Sequence, residues 1–134
     1  MKIFLRILIT YIFFVLLTIV RAHSQTILFC EGVDKEGKPI NSANSFSIAT
    51  NGGYLHFLVQ LGYEINKDEI YYELYKVDAK GKEFYEATIY QELDPKDVFF
   101  HKKIPFYDAG KFNIYVYTGD GIYLTSGSLQ ITKK

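Results

Sequence analysis

The chain has 134 residues and a formal net charge of zero, but that balance joins two unlike regions. Residues 1–24 carry Lys2, Arg6 and Arg21 and no acid, whereas residues 25–134 carry 12 Lys and no Arg against 15 Asp and Glu, a net charge of −3. A mildly acidic region with scattered lysines lacks the basic face that nucleic acid requires, and a single cysteine in the whole chain excludes an intrachain disulfide.

Lys2 and Arg6 open a positive segment, and residues 7–20 follow with 14 positions free of charge. Ala22-His23-Ser24 then places small residues at the two positions that matter for cleavage. This pattern predicts a secretory signal peptide over 1–24, cut after Ser24. The alternative is an uncleaved membrane anchor, for which the apolar run is short against the ~20 residues a bilayer span needs. Arg21, directly after the apolar run, is unusual for an export signal. Cys30 is not preceded by the small residues a lipidation site wants, so lipidation is not expected. Residues 25–134 read as one exported domain, whether periplasmic, cell-surface or secreted. Nineteen of its residues are Phe or Tyr, enough to build a core without disulfides when each ring buries on the order of 150–250 Å². Cys30 reads as a small buried apolar side chain.

Thr26 to Glu31 is a short first strand. Residues 32–41 form a polar loop, and Ser45 to Ala49 alternates as a second strand. Asn51-Gly52-Gly53 is a turn. Tyr54 to Leu61 is a core strand with Leu55, Phe57, Val59 and Leu61 on one face and Tyr54, His56, Leu58 and Gln60 on the other. Glu69 to Val77 sets Ile70, Tyr72 and Leu74 against Tyr71, Glu73 and Tyr75. Asp78-Ala79-Lys80-Gly81 turns the chain into Glu83 to Gln91, whose mixed faces suit an outer strand. Val98 to His101 is a short strand, and Lys102-Lys103-Ile104-Pro105 leads into a corner.

Residues 111–117 alternate cleanly, with Phe112, Ile114 and Val116 on one face and Asn113, Tyr115 and Tyr117 on the other. Gly119-Asp120-Gly121 supplies the turn to the last strand. A three-residue loop keeps apolar opposite apolar, with Val116 facing Leu124 and Tyr117 facing Tyr123, and Gly121 suits its left-handed position. Further on the inward phase moves from even-numbered Ile122 and Leu124 to odd-numbered Leu129 and Ile131, which predicts a β-bulge at Gly127. Eight strand candidates at short, regular spacing, with no helical periodicity after residue 24, predict an all-β sandwich.

Asp108-Ala109-Gly110-Lys111-Phe112-Asn113-Ile114 resembles the Asp-x-Gly-x-Tyr-x-Cys corner of immunoglobulin domains. Phe112 stands where the corner tyrosine would be, Ile114 where the cysteine would be, and there is no tryptophan. The resemblance implies an immunoglobulin-like antiparallel β-sandwich of seven or eight strands, built without a disulfide, such as occurs in small secreted proteins of bacterial type.

No constellation for catalysis or metal binding emerges. His56 and His101 have no ligand partner at a recognised spacing, no nucleophile elbow occurs, and Asp94 with Asp97, Glu83 with Glu86, and Asp120 read as solvated or turn-forming charges. Neither enzyme activity nor a cofactor is expected. What stands out is tyrosine: Tyr54, Tyr71, Tyr75, Tyr115, Tyr117 and Tyr123 fall on strand faces opposite the core. A binding face of Tyr71, Tyr75, Tyr115, Tyr117 and Tyr123 is expected, because tyrosine offers a rigid apolar body with a polar tip at low entropic cost. Outer-face tyrosine also shields a sheet from water, so a purely structural role stays open. The functional expectation is an exported non-enzymatic interaction module contacting a protein partner. The alternatives are a carbohydrate-binding accessory domain or an envelope protein tethered by an uncleaved N-terminal helix.

Overall fold

The structure, a computed structural model, describes residues 2–7 and 25–134. Residues 2–7 are helical; the rest of the expected signal peptide, and with it the choice between cleavage and anchoring, lies outside the described residues. No described helix is long and apolar enough to cross a membrane.

From residue 26 onward the chain is built of strands: β1 (Thr26–Cys30), β2 (Gly32–Val33), β3 (Pro39–Ile40), β4 (Ser45–Ile48), β5 (Gly53–Gln60), β6 (Glu69–Val77), β7 (Glu83–Glu92), β8 (Phe99–Phe106), β9 (Gly110–Thr118) and β10 (Tyr123–Lys133). Eight of these form two sheets, ordered β1-β5-β8 and β4-β10-β9-β6-β7. Neighbours pair antiparallel except β4, which runs parallel to β10. β2 and β3 pair only with each other.

The core lies between the sheets and follows the alternation of the sequence. Leu55, Phe57 and Val59 of β5 and Phe100, Ile104 and Phe106 of β8 meet Ile70, Tyr72 and Leu74 of β6, Phe112, Ile114 and Val116 of β9, and Leu129 and Ile131 of β10. Phe57 sits among rings, edge-on to Phe29 at 5.2 Å and to Tyr72 at 5.6 Å. Such pairs add about 0.5–1.5 kcal/mol each beyond the area they bury. At the corner, Phe112 packs edge-on against Phe106 at 5.4 Å, and Ile114 is fully buried. The places of a hydroxyl and a thiol are thus taken by apolar contact.

Four expectations are corrected. First, β8 does not stop at His101 but runs to Phe106. Lys102 stands at the inward register opposite Phe57 and hides the alternation of Phe100, Ile104 and Phe106. Pro105, which has no N–H to give, is tolerated because β8 is the edge of its sheet. Second, the polar loop of residues 32–41 holds the β2–β3 hairpin. This hairpin packs beside β1 and β5, and the Gln60 side chain donates to the Gly37 carbonyl at 3.3 Å. It therefore covers the outer side of β5, which explains why Leu58 and Cys30, both in the outward phase, are fully buried.

The third and fourth corrections concern the last hairpin. The loop has the expected three residues: Thr118 N–H donates to the Ile122 carbonyl, Tyr117 pairs with Tyr123, and Gly121 takes a φ of 91°. The bulge, however, sits at Leu124, not at Gly127, so that Val116 pairs with Thr125 and not with Leu124. Leu124 and Thr125 both turn inward, and the strand regains its phase three residues earlier than expected. Gly127 instead occupies an inward position where a Cβ would lie 2.9 Å from Ile27 Cγ2 and 3.1 Å from the Phe29 ring. It is glycine because β1 passes close beneath it.

Candidate interaction surface

The outer face of the five-stranded sheet is set by register. Tyr71 on β6 lies between Tyr117 on β9 and Tyr90 on β7, and Tyr117 in turn faces Tyr123 on β10. The result is a row of four tyrosines across four strands, Tyr90-Tyr71-Tyr117-Tyr123, with ring centroids 5.5, 5.3 and 6.0 Å apart. The next row is Thr88-Glu73-Tyr115-Ser126, and the one beyond it Tyr85-Tyr75-Asn113-Ser128. Tyr75 meets Tyr85 at 6.0 Å and Tyr115 at 5.5 Å. On the other side of the tyrosine row, Glu69 pairs with Glu92.

Every residue of the expected set, Tyr71, Tyr75, Tyr115, Tyr117 and Tyr123, stands on this face, where Tyr117 meets both Tyr71 and Tyr123, and Tyr75 meets Tyr115. Tyr54 does not join them: it lies on β5 in the other sheet, with Lys103 Nζ 4.5 Å from its ring. Tyr85 and Tyr90 were missed. Five positions apart, they would point to opposite sides of a regular strand. A bulge at Glu86, which leaves Leu74 opposite Ala87 and Tyr75 opposite Tyr85, turns both to the same side. The only trace of this in the sequence is the confused alternation of residues 83–91.

Hydrogen bonds fix the centre of the face. Tyr75 donates to Glu73 at 2.9 Å, and Tyr115 and Asn113 donate to Glu83 at 2.5 and 2.8 Å. Ser128 donates to Asn113, Tyr85 pairs with Thr88, and Tyr123 with Ser126. The bond to Glu73 pushes the Tyr75 phenol up to about 12, and the bond to Glu83 does the same for Tyr115. The bonds from Tyr115 and Asn113 hold the Glu83 carboxyl below its ordinary range. Burial raises Tyr117. At neutral pH the phenols are therefore protonated and Glu83 is charged. Tyr90 and Tyr123 are the open ends of the row, 61% and 54% exposed.

The other candidate residues serve local structure. Asp120 accepts from Thr118 Oγ1 beside its own turn and from Lys67 Nζ of the loop before β6. Asp94 and Asp97 accept backbone N–H groups of their own turn. Glu86 is the exposed bulge residue. His56 and His101, read separately in the sequence, stand on neighbouring strands with their Nδ1 atoms 3.4 Å apart. Burial, then His101 and Lys103, lower the pKa of His56. Among the described residues no group of three or more His, Cys, Asp or Glu is placed to hold a metal.

No family model and no curated protein matches the chain. Among solved structures it is similar to an immunoglobulin-like protein from Pseudomonas aeruginosa, with a TM-score of 0.51 and 16% identity over 79% of this chain and 91% of that one. At that identity the likeness is one of fold. Taken with the two-sheet topology, it makes the fold an immunoglobulin-like β-sandwich.

Proposed function

We propose that the protein is a non-enzymatic interaction module that binds a protein partner through the tyrosine face of its five-stranded sheet. One observation carries this reading: seven tyrosines from four strands share one outer surface, and four of them, Tyr75, Tyr85, Tyr115 and Tyr123, are held in place by hydrogen bonds. Ordering these rings in advance lowers the entropic cost of binding, and tyrosine is among the side chains that dominate interface energies.

A glycan-binding reading has less support, for a geometric reason. A sugar ring stacks on an open aromatic face, but Tyr71 and Tyr117 lie at an interplanar angle of 22° and present their faces to each other. What points outward from the centre of the row is ring edge and hydroxyl, which suits the mixed apolar and polar contacts of a protein surface.

The test is capture of the partner from envelope extract of the producing cell by tagged residues 25–134. Tyr90→Ala with Tyr123→Ala removes the two open ends of the row, and the melting temperature should stay close to that of the parent. Capture should be lost, while Tyr54→Ala on the opposite sheet should leave it intact. Equal capture by all three proteins would show that this face is not the contact surface.

A further inference from the structure

The tyrosine row lies between carboxylates. On one side Glu69 and Glu92 face each other across β6 and β7; on the other stand Glu73 and, farther out, Glu83. One lysine shares these rows: Lys111 stands in the row of Glu83, across Val77 of β6 from it. Lys67 adjoins Glu69 and Glu92 but is bonded to Asp120 at 3.0 Å. The four glutamates still outnumber the lysines beside them, although residues 25–134 hold 12 Lys.

The hydrogen-bond inventory points the same way. Tyr75 and Tyr115 have spent their only hydrogens on Glu73 and Glu83. Their phenol oxygens, like the carboxylates, can then only accept from a newcomer. Tyr75 and Tyr115, with the glutamates they bond, thus form a patch of acceptors beside the tyrosine row, and it suits donors that carry positive charge. A second copy of the same face would bring carboxylates against carboxylates, which disfavours self-pairing.

We infer that the tyrosine face docks a basic protein segment, one that projects arginine or lysine side chains between the tyrosine row and the flanking glutamates. A guanidinium group suits the place well, because its planar fork bonds a carboxylate with two N–H groups while lying along an aromatic ring. The inference rests on the reading of this face as the interaction surface and adds the chemistry of what it receives.

The experiment measures binding of a fluorescein-labelled hexa-arginine peptide to residues 25–134 by anisotropy at physiological ionic strength, with hexaglutamate and a neutral Gly-Ser peptide as controls. Glu69→Gln with Glu92→Gln should weaken the arginine peptide about tenfold, the size of two partly desolvated charge contacts. Asp34→Asn with Glu36→Gln removes the same charge from the β2–β3 hairpin and should change the affinity by less than about twofold. Equal weakening by the two double variants would reveal general attraction to an acidic protein and overturn the inference, as would no measurable binding of the arginine peptide. If the partner captured from the extract is lost with Tyr90→Ala and Tyr123→Ala but insensitive to Glu69→Gln and Glu92→Gln, the basic-segment inference fails while the surface reading stands.

Discussion

Gln91 ties the two sheets together at their shared open side. Its Oε1 accepts from the hydroxyl of Tyr72 at 2.7 Å, and its Nε2 donates to the His101 carbonyl on β8 at 2.9 Å. Tyr72 is fully buried, and burial raises its phenol pKa. Gln91→Ala strands that hydroxyl without a partner, at a cost of about 1–3 kcal/mol. In denaturant unfolding, Tyr72→Phe should cost less when Gln91 is already alanine than in the parent; additive losses would mean that the bond contributes nothing. His56 offers a second test. Its folded pKa lies below the ordinary 6.5, so the fold favours the neutral ring. The stabilisation from that preference is complete above about pH 6.5 and is lost as the pH falls through that value toward the folded pKa. His56→Gln should therefore lessen the fall in melting temperature between about pH 7 and pH 5. The depressed carboxyls of Glu83 and Asp120 act lower, their contribution being lost only as the pH falls toward and below about 4. A fall between pH 7 and 5 that is unchanged in His56→Gln would assign it to other groups.

At the scale of elements, two bulges decide which side chains reach the tyrosine face. The one at Glu86 brings Tyr85 and Tyr90 onto it, and the one at Leu124 lets Tyr123 point out while Leu129 and Ile131 point in. Gly127 shows how close the packing is beneath. Gly127→Ala would push a methyl group into Ile27 and Phe29, and overpacking of that kind costs about 1–3 kcal/mol. A midpoint of denaturation equal to the parent's would show that β1 yields freely. Gly121→Ala tests the hairpin separately: its Cβ meets no backbone, yet the φ of 91° strains any side chain, so a loss of about 1 kcal/mol is expected from the turn alone. Alternation could place Phe112, Ile114, Val116 and the β6 tyrosines because both strands are regular. It could not place Tyr85 and Tyr90, because an extra residue in an edge strand inverts the phase without leaving a residue type that marks it.

For the whole molecule, stability rests on the apolar layer between the sheets and on no covalent link. Cys30 is buried beside the β2–β3 hairpin, and that burial pushes its thiol pKa up. Reductant should leave the melting temperature unchanged, and a thiol reagent should modify Cys30 only at the rate of unfolding; rapid labelling of the native protein would show that the hairpin opens independently. The two-layer architecture and the inner faces of β5, β6 and β9 were legible in the sequence, because a half-buried antiparallel strand must alternate to keep apolar groups from water. The five tyrosines of the expected face followed from the same alternation, as the residues left on the other side. Of their contacts only that of Tyr117 with Tyr123 was legible, because a three-residue hairpin sets it. Strand order, the parallel docking of β4, the continuation of β8 through Lys102, and the contact of Tyr71 with Tyr117 all arise from pairing between segments distant along the chain. A strand's own residues specify its two faces, but its neighbours and register are chosen by the free energy of packing the entire sandwich.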